Sequence, residues 1–529
     1  MKTFYKLLLT LALSACAFTV KAQYSFQTDG FYFKILSEGD ATVEVTHGEA
    51  AYAGDIVIPN TARHGMAVYN VVGIGDEAFK GDEFVTSIIF GKNIRSIGER
   101  AFSGNVSLSE IIIPDHVTEL KKGCFGGCSH LTAIHIGEGI DSIPEGAFSG
   151  SAVQQLHIGS NVKYIGDKAF QGKSGKLSEI RVPKSVKYIG QYAFSHHTRV
   201  TTLDLGTVEQ IEECAFSHLS ALKELTLPNT LKTIGKQAFM QCSALKSIYI
   251  PSSVTMIWEN PFQGCDSLTF IKVAEDNKVY DSRNGCNAII RTNTDCIITA
   301  CKTTVIPDDT KYLASFSFSS KSITRIELPQ SLIMIQPNAF YGSNLKYAGI
   351  DNLESWMRID FLKIDANPTF TTESLIVNGE ELTHLRTPEE ITTIKSFSFA
   401  SLDNLTRIEL HKGIQTISAY AFIGCTNIKE VVTYAETPSL ISSASFTDET
   451  YQNATLYVPA GTKDIYSADY YWKNFKKIAE MTDTGIDDNE AETSVRDIYS
   501  INGGKSNIVR KGMNIIRFSN GELKKIYIK

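Results

Sequence analysis

The sequence predicts a β-rich solenoid of stacked turns of about 23 residues, capped at both ends and followed by a small C-terminal β module. Two observations support the solenoid. A step resembling Ala-Phe returns every 22 to 24 residues through the first half of the chain, and a short alternation of apolar and polar residues precedes each step. Such a period is typical of solenoids, because one turn cannot bury its own apolar edges without a neighbour. The recurring rings are Phe79, Phe102, Phe125, Phe148, Phe170, Phe194, Phe216, Phe239 and Phe262, then Phe318, Phe340, Phe399, Phe422 and Phe446.

One complete unit, residues 222–244, reads LKELTLPNTLKTIGKQAFMQCSA. Leu225 and Leu227 alternate around Thr226, which predicts a short strand with one face turned inward. A second short extended piece follows the proline, and Phe239 then turns its ring into the interior. When such units are stacked, each repeat phenylalanine is expected to lie on that of the next turn, in a single internal row.

The repeated pattern L-x-x-L-x-L-P-x-x-L-x-x-I-G-x-x-A-F-x-x-C resembles the BspA-type leucine-rich repeat family of bacterial surface proteins. Thr230 and its equivalents stand where the commoner leucine-rich pattern has asparagine. The resemblance covers about residues 24–481. It implies a leucine-rich repeat array over 76–480, with irregular hairpin-bearing units near 276–307 and 350–394.

Both ends of the array need a cover, because an open solenoid end is an aggregation edge. Residues 23–75 resemble the strand-rich segment that forms the N-terminal β cap in the family. At the other end, residues 454–478 resemble the family's terminal unit, in which Trp472 and Phe475 are expected to seal the last turn.

Residues 1–22 predict a secretory signal peptide that is removed from the mature protein. Lys2 and Lys6 flank an apolar core too short to span a membrane, and the small-residue site VKA follows it. In an alternative interpretation, the sequence LSAC is a lipobox and Cys16 carries a lipid. In either case we expect an exported protein without a membrane-spanning helix, at the bacterial cell surface, on the outer membrane or in the extracellular space.

The composition changes after the array. Residues 481–494 are polar and acidic, which predicts a linker. Residues 495–529 contain three short alternating runs, RDIYSI, MNIIRFS and KKIYIK, near Asn-Gly turn signals. This module resembles a C-terminal sorting domain of the type IX secretion pathway, which implies transport across the outer membrane and attachment to it. An ordinary terminal β-hairpin is the alternative.

Charge and motifs argue against several function classes. The formal net charge is -7 and no run of lysine and arginine offsets it, which argues against nucleic-acid binding. The nucleophile-elbow, zinc-protease, P-loop and dinucleotide motifs are absent from the sequence. We therefore expect no enzyme, no catalytic residue, no cofactor and no metal site.

The chain has 10 cysteines, and removal of the signal leaves an odd number, which argues against a complete disulfide framework. Four of them follow a repeat phenylalanine by three residues: Cys128, Cys242, Cys265 and Cys425. This regularity predicts buried free thiols, and a bridge between Cys242 and Cys265 in neighbouring turns is the alternative. At Cys286, Cys296 and Cys301 we expect core thiols rather than a metal site.

The middle residue of each first strand should point away from the core, because side chains alternate along a strand. Stacking places these residues in one outward column, in which His135 and His157 are expected about 5 Å apart. Two such imidazoles could hold a metal ion or repel each other at low pH, and two solvated side chains are the alternative. The outward column contains Ile89, Ile112, His135, His157, Arg181, Asp204, Thr226, Tyr249 and Lys272.

Exposed aromatic residues in a contiguous patch indicate a binding surface, since tyrosine offers a large contact area at low entropic cost. Phe270 flanks Tyr249 in the first strands. Tyr164 and Tyr188 share the outward column of the second strands. Single exposed aromatic side chains without a function are the alternative. The candidate binding residues are His135, His157, Arg181, Asp204, Tyr249, Phe270, Lys272, Tyr164 and Tyr188.

The family resemblance implies an adhesin-like binding protein, which we expect to be monomeric and to present its solenoid surface to proteins, matrix or glycans of a host or of other microbes. A structural or envelope scaffold is the alternative function. A carbohydrate-active enzyme is the least favoured hypothesis, because such solenoids lack a deep cleft and no pair of carboxylates emerges from the sequence.

Overall fold

The computed structural model describes residues 24–172 and 176–481, together with four strands of the tail. It is a parallel β-solenoid of about 18 turns with few and short helices, which confirms the predicted fold class. The predicted signal peptide, including Cys16, and residues 482–494 of the predicted linker lie outside the described residues.

The N-terminal segment forms a small sheet that continues into the solenoid. Its strands are Phe26–Thr28, Phe31–Ser37, Thr42–Thr46, Thr61–His64 and Ala67–Ile74. The last of these pairs in parallel with Ser96–Ile97 of the first regular turn. The strand Gly54–Val57 likewise pairs in parallel with Val85–Ile89. The segment therefore presents strand edges of the correct direction to the repeats, so that the first turn stacks on a partner rather than on solvent.

The regular turns contribute two short strands each, which stack in two parallel rows. The first-strand row contains Val85–Ile89, Glu110–Ile113, Ala133–Ile136, Gln155–His157, Glu179–Arg181, Thr202–Asp204, Ser247–Ile250, Phe270–Val273, Arg325–Leu328, Tyr347–Ile350, His384–Arg386, Arg407–Leu410, Glu430–Thr433, Thr455–Val458 and Lys477–Glu480. The second-strand row contains Ser96–Ile97, Glu119–Leu120, Ser142–Ile143, Tyr164–Ile165, Tyr188–Ile189, Gln210–Ile211, Thr233–Ile234, Met256–Ile257, Tyr312–Leu313, Met334–Ile335, Asp360–Phe361, Thr393–Ile394 and Thr416–Ile417.

The unit at 222–244 departs from the prediction in one respect. Leu225 and Leu227 are buried on either side of the exposed Thr226, as the alternation predicts. The backbone there is nevertheless not a strand, and only the second piece, Thr233–Ile234, pairs with its neighbours. The apolar alternation is thus sufficient to bury the leucines, although the strand ladder is interrupted at this turn.

The repeat phenylalanines form the predicted internal row as far as Phe262, but the irregular units interrupt it. Phe318 and Phe340 contact each other with centroids 5.8 Å apart and planes 38° from parallel. From Phe79 to Phe262 each ring contacts the next, with centroids 4.8 to 5.6 Å apart and the planes within 15° of parallel. Phe399, Phe422 and Phe446 form a second such row nearer the C-terminus. All of these rings are buried. The row is therefore the main apolar element that joins one turn to the next.

The four cysteines that follow a repeat phenylalanine are free and buried, which confirms the predicted thiols; Cys242 and Cys265 form no bridge. Each thiol points to the carbonyl oxygen of the phenylalanine one turn earlier, for example from Cys425 to Phe399 at 2.9 Å. Burial raises the pKa of Cys425 to about 12, so the thiol keeps its proton. Asn105 donates to the carbonyl of Phe79 in the same way. The side chain three residues after a repeat phenylalanine therefore joins successive turns by a hydrogen bond.

A second ladder of side-chain hydrogen bonds crosses the turn between the two strands. The hydroxyl of Thr230 donates to the carbonyl oxygen of Val208 at 3.0 Å, and that of Ser185 donates to Val162 at 2.6 Å. The side-chain amide of Asn161 donates to a nearby carbonyl of the preceding turn, that of Glu138, at 2.7 Å. Threonine and serine therefore do here what asparagine does in other turns, since each satisfies a backbone carbonyl of the preceding turn.

Two irregular units interrupt the stack. The first contains the antiparallel strands Ala288–Arg291 and Cys296–Ala300, preceded by Tyr280–Asp281 and the 3-10 turn Arg283–Gly285. The hairpin projects from the stack, and the turns before and after it pair directly. The backbone amide of Gly264 donates to the carbonyl oxygen of Ser319 at 2.9 Å. The array therefore continues across the insertion.

The second irregular unit is only partly a hairpin. Its strands Ile376–Val377 and Glu380–Glu381 pair antiparallel, but the helices Leu353–Arg358 and Thr369–Thr372 and the 3-10 turn Ile364–Ala366 were not predicted. The indole of Trp356 is buried and donates to the carbonyl of Ser398 at 2.9 Å. The indole therefore belongs to the core of this unit, where it also contacts the ring of Phe361 with centroids 5.0 Å apart.

The C-terminal end of the array is covered by aromatic side chains. Trp472 and Phe475 are buried and contact Phe446, and the Trp472 indole donates to the carbonyl of Ser439 at 2.8 Å. The helical segments here are Asp448–Asn453, Lys463–Ala468 and the 3-10 turn Trp472–Asn474. Beyond them, an antiparallel sheet of the tail contains Val495–Ser500, Lys505–Ser506, Gly512–Phe518 and Leu523–Ile528.

Candidate binding surface

The outward column begins with an apolar patch, which consists of Val57, Ile89 and Ile112. Val57 and Ile89 are register partners, and Ile112 occupies the equivalent position one turn on. Each of the three side chains is about 60% exposed. Sequence reasoning missed Val57 because this residue belongs to the N-terminal segment, outside the repeat pattern. A row of exposed aliphatic side chains on a sheet is an unfavourable surface in water unless something covers it.

His135 and His157 continue the column from this patch. Ile112, His135 and His157 follow one another in register, and the two imidazole rings stack with centroids 4.3 Å apart and planes 11° from parallel. Glu110 and Gln155 border a shallow groove of about 290 Å³ over these strands. Within the described ranges, no group of three or more histidine, cysteine or carboxylate side chains is arranged to hold a metal ion.

Arg181 and Asp204 are register partners in the next pair of first strands. The guanidinium of Arg181 bonds to Glu179 on its own strand at 3.0 Å, and this contact raises the pKa of Arg181. Both residues are exposed. This part of the column is therefore charged, unlike the apolar patch, and one of its charges is already in an ion pair with a neighbour on the same strand.

Tyr249, Phe270 and Lys272 lie together at the last regular turn before the first hairpin. Tyr249 is the register partner of Lys272, and Phe270 is two residues before Lys272 on the same face. Each ring is about half exposed. The ammonium of Lys272 lies 3.5 Å from the carboxylate of Glu275. A concave space of about 630 Å³ lies between this strand and the hairpin unit.

Tyr164 and Tyr188 lie in the second-strand row, as the sequence predicts, and not among the first-strand residues described above. They are register partners whose rings stack with centroids 4.4 Å apart and planes 2° from parallel. Burial, together with the neighbouring Tyr164 hydroxyl, raises the pKa of Tyr188. The phenol of Tyr188 is therefore neutral at physiological pH, and the two stacked rings together offer a flat aromatic surface.

A second histidine stack was missed by sequence reasoning. His196 and His218 each follow a repeat phenylalanine by two residues, and their rings stack with centroids 4.4 Å apart. Glycine holds this position in earlier turns, and the backbone of both histidines has a positive φ, 68° and 63°. Burial lowers the pKa of His218. The departure from glycine at a fixed repeat position is the signal that would have found this pair.

Met256 and Trp258 form another exposed pair that sequence reasoning missed. Trp258 is 56% exposed and stands at the repeat position held by glycine in Gly190 and Gly235. Exposed tryptophan is uncommon and is enriched where proteins bind partners.

The described part of the chain contains no helix long and apolar enough to cross a membrane.

The repeats match the model of a known protein family. The family described as "BspA type Leucine rich repeat region" matches residues 68–175, 165–284, 296–371 and 372–479. No curated protein matches the chain.

Solved structures of other bacterial repeat proteins are similar to this chain. A leucine-rich repeat protein of Bacteroides ovatus is 24% identical over 77% of this chain and 94% of that one, with a TM-score of 0.51. A leucine rich cell surface protein of Faecalibacterium prausnitzii is 19% identical over 87% and 95%, with a TM-score of 0.35. The pneumococcal vaccine antigen PcpA is 19% identical over 88% and 100%, with a TM-score of 0.39. At these identities the similarity shows the fold alone.

Proposed function

The chain belongs to the BspA-type leucine-rich repeat family, and we propose that it is a non-enzymatic binding protein that acts at the bacterial surface or outside the cell. The observation that carries this proposal is the apolar patch of Val57, Ile89 and Ile112, which is exposed on successive parallel strands of the stack. A partner protein that covers the patch removes three aliphatic side chains from water, and this burial supplies the favourable free energy of binding.

The rest of the outward column suits the margin of such an interface. His135 and His157 adjoin the patch and offer flat, weakly polar rings, while Arg181 and Asp204 beyond them are charged. An apolar centre with a polar rim is the usual composition of protein interfaces. Parallel backbone pairing joins Val57 to Ile89, and Ile112 to His135 and His157, so these parts of the surface lose little conformational entropy on binding.

Export and surface attachment are part of the same proposal. The signal sequence at 1–22 supports secretion, and the tail module at 495–529 supports transport by the type IX pathway with attachment to the outer membrane; a lipid on Cys16 is the alternative anchor. An adhesin role toward host or microbial proteins follows from combining exposure at the surface with the apolar patch.

A solid-phase binding screen tests the proposed function. The full mature chain is screened against purified matrix and plasma proteins and against surface extracts of other bacteria. We expect saturable binding to at least one protein, and we expect Ile112→Asp to abolish it because a charge in the centre of the interface cannot be desolvated without a partner.

Thr226→Asp is the matched control, since Thr226 is exposed in the same column but outside the apolar patch. Equal loss in both variants would contradict the role of the patch. Absence of binding to every protein would favour the structural scaffold, and hydrolysis of a polysaccharide panel would overturn the non-enzymatic assignment.

A further inference from the structure

The first irregular unit creates a notch, defined as the space between the strand Phe270–Val273 and the 3-10 turn Arg283–Gly285. Its volume is about 630 Å³, and its lining includes Lys272, Glu275 and Asn287. A regular turn would have placed another first strand beside Phe270–Val273, but the hairpin takes this place. The notch is therefore a consequence of the insertion and not a feature of the repeat.

Main-chain groups next to the notch already have partners. The amide of Val273 donates to the hydroxyl of Ser282 at 3.0 Å, and the hydroxyl of Thr303 donates to the carbonyl of Thr269 at 2.5 Å. The amide of Lys302 bonds to the carbonyl of Leu268. An extended peptide that adds to this edge as a strand would have to displace these bonds, so a ligand of the notch contacts side chains.

The charged groups of the notch are paired among themselves. Lys272 lies 3.5 Å from Glu275. The guanidinium of Arg283 bonds to Asp281 at 2.7 Å, to Asp295 at 2.8 Å and to Asp309 at 2.7 Å. Neither cation is available to a phosphate, sulfate or carboxylate without loss of these contacts. The charge distribution therefore favours a neutral ligand.

The uncharged groups of the notch combine an aromatic face with free amides. Phe270 is 50% exposed, and neither it nor Tyr249 stacks on another ring within the described residues. The side-chain amides of Asn284 and Asn287 make no hydrogen bond to any described residue, and both backbones are held at positive φ, 56° and 54°. Each amide offers a donor and an acceptor side by side.

We propose that the notch binds a neutral oligosaccharide. One face of a sugar ring consists of C–H groups, which pack on the π-face of an aromatic ring because that face is electron-rich. Neighbouring hydroxyls of the sugar both donate and accept, and they match the paired groups of an asparagine amide. In this arrangement Phe270 stacks on one sugar ring, while Asn284 and Asn287 bind its hydroxyls.

The geometry of the notch is fixed before binding. Three aspartates hold Arg283 on the wall, and the strand Phe270–Val273 forms the floor through its parallel pairing with Ser247–Ile250. A concave site with a fixed wall and few polar groups loses little entropy when a ligand enters. This site is separate from the apolar patch proposed for protein binding.

The test is a glycan array probed with the full mature chain, followed by isothermal titration of the glycans that bind. The array carries gluco-, manno-, xylo-, galacto- and N-acetylglucosamine oligomers, with sialylated and sulfated glycans for comparison. We expect binding to at least one neutral oligomer, and about a tenfold or greater loss of affinity in Phe270→Ala and in Asn284→Gly. Glycine keeps the positive φ of Asn284 and removes only its amide.

Phe84→Ala is the control, because this ring is 74% exposed and precedes the strand Val85–Ile89, outside the notch. The affinity of this variant for the glycan should equal that of the wild type. Melting curves check that the exposed substitutions leave the fold intact. The proposal is overturned if no neutral oligomer binds at millimolar concentration, if only sialylated or sulfated glycans bind, or if Phe270→Ala binds as well as the wild type. Ile112→Asp should lose protein binding and keep glycan binding, so the two proposals fail independently.

Discussion

Phe125 and Phe148 lie face to face in the core, with ring centroids 5.3 Å apart and planes 1° from parallel. They are 23 residues apart in the sequence, which is one turn of the solenoid. Both rings are completely buried. The same contact recurs along the row, so the stacking of one ring on the next is the repeated tertiary interaction of the fold.

Removal of one ring should destabilise the array. We expect Phe125→Ala to lower the free energy of unfolding by about 3–5 kcal/mol, because the substitution leaves a cavity between two rings that cannot collapse onto each other. Thermal unfolding of the full chain measures the effect. Phe84→Ala is the control, since Phe84 is 74% exposed and its loss should change the stability little. Equal melting temperatures in the two variants would show that the row is not core.

The buried carboxyl of Asp82 should make stability depend on pH. Asp82 is almost inaccessible, its Oδ2 has no hydrogen-bond partner, and burial raises its pKa. The folded state therefore binds this proton more tightly than the unfolded state, where the pKa is about 3.9. The contribution of Asp82 to the free energy of unfolding is complete below a pH of about 3.9. It is lost as the pH rises through the pKa that Asp82 has in the folded state.

Asp82→Asn, which cannot ionise, isolates this contribution. We expect the melting temperature of the variant to exceed that of the wild type increasingly as the pH rises from 4 to 7, because only the wild type must bury a charge. Melting curves across this range provide the measurement. A difference that does not change with pH would mean that Asp82 does not titrate with folding.

Arg283 should hold the first hairpin unit against the array. Its guanidinium contacts Asp281, Asp295 and Asp309, which come from three separate segments. We expect Arg283→Ala to destabilise this unit by about 1–3 kcal/mol, since three carboxylates lose their shared partner. Hydrogen exchange of residues 280–300 should increase while the repeats before residue 250 stay protected.

Arg181→Ala provides the comparison for Arg283. Its contact with Glu179 is exposed on both sides, and such pairs contribute about 0–1 kcal/mol. Similar exchange in the two variants would argue that the three-aspartate contact is not what fastens the hairpin.

The tail should be needed for surface display. We expect a chain lacking 495–529 to be missing from the surface of intact cells, because the proposed sorting signal would be gone. Protease shaving of cells, followed by detection of released repeat fragments, measures display. Unchanged display of the shortened chain would refute the sorting role, and Cys16→Ala would then test the lipid anchor.

Sequence reasoning was most successful where the chain is periodic. The spacing of Phe102, Phe125 and Phe148 predicts the ring row, and the alternation around His135 and His157 predicts two outward imidazoles in neighbouring strands. It succeeds because a constant period places each residue against its equivalent one turn away. In the candidate binding surface, the pattern predicted the residues that alternate outward along the first strands.

The residues that sequence reasoning missed lie off the period or depart from it. Val57 joins the apolar patch from a strand of the N-terminal segment, and Trp258 stands at a position held elsewhere by glycine. Asn284 and Asn287 reach the notch from an inserted segment that has no counterpart in other turns. Their neighbours depend on the path of the chain through space, which a repeat pattern does not describe.

The sequence by itself determined the architecture of this protein, a stack of turns with buried rings inside and a column of exposed side chains outside, because burial of one apolar edge per turn permits only that arrangement. The tertiary structure alone decided where the surface becomes concave and which side chains meet there. The reason is that Phe270 and Asn284 are brought together by a hairpin that leaves the stack and returns, and such a contact between a periodic and a non-periodic segment has no signature in the repeat.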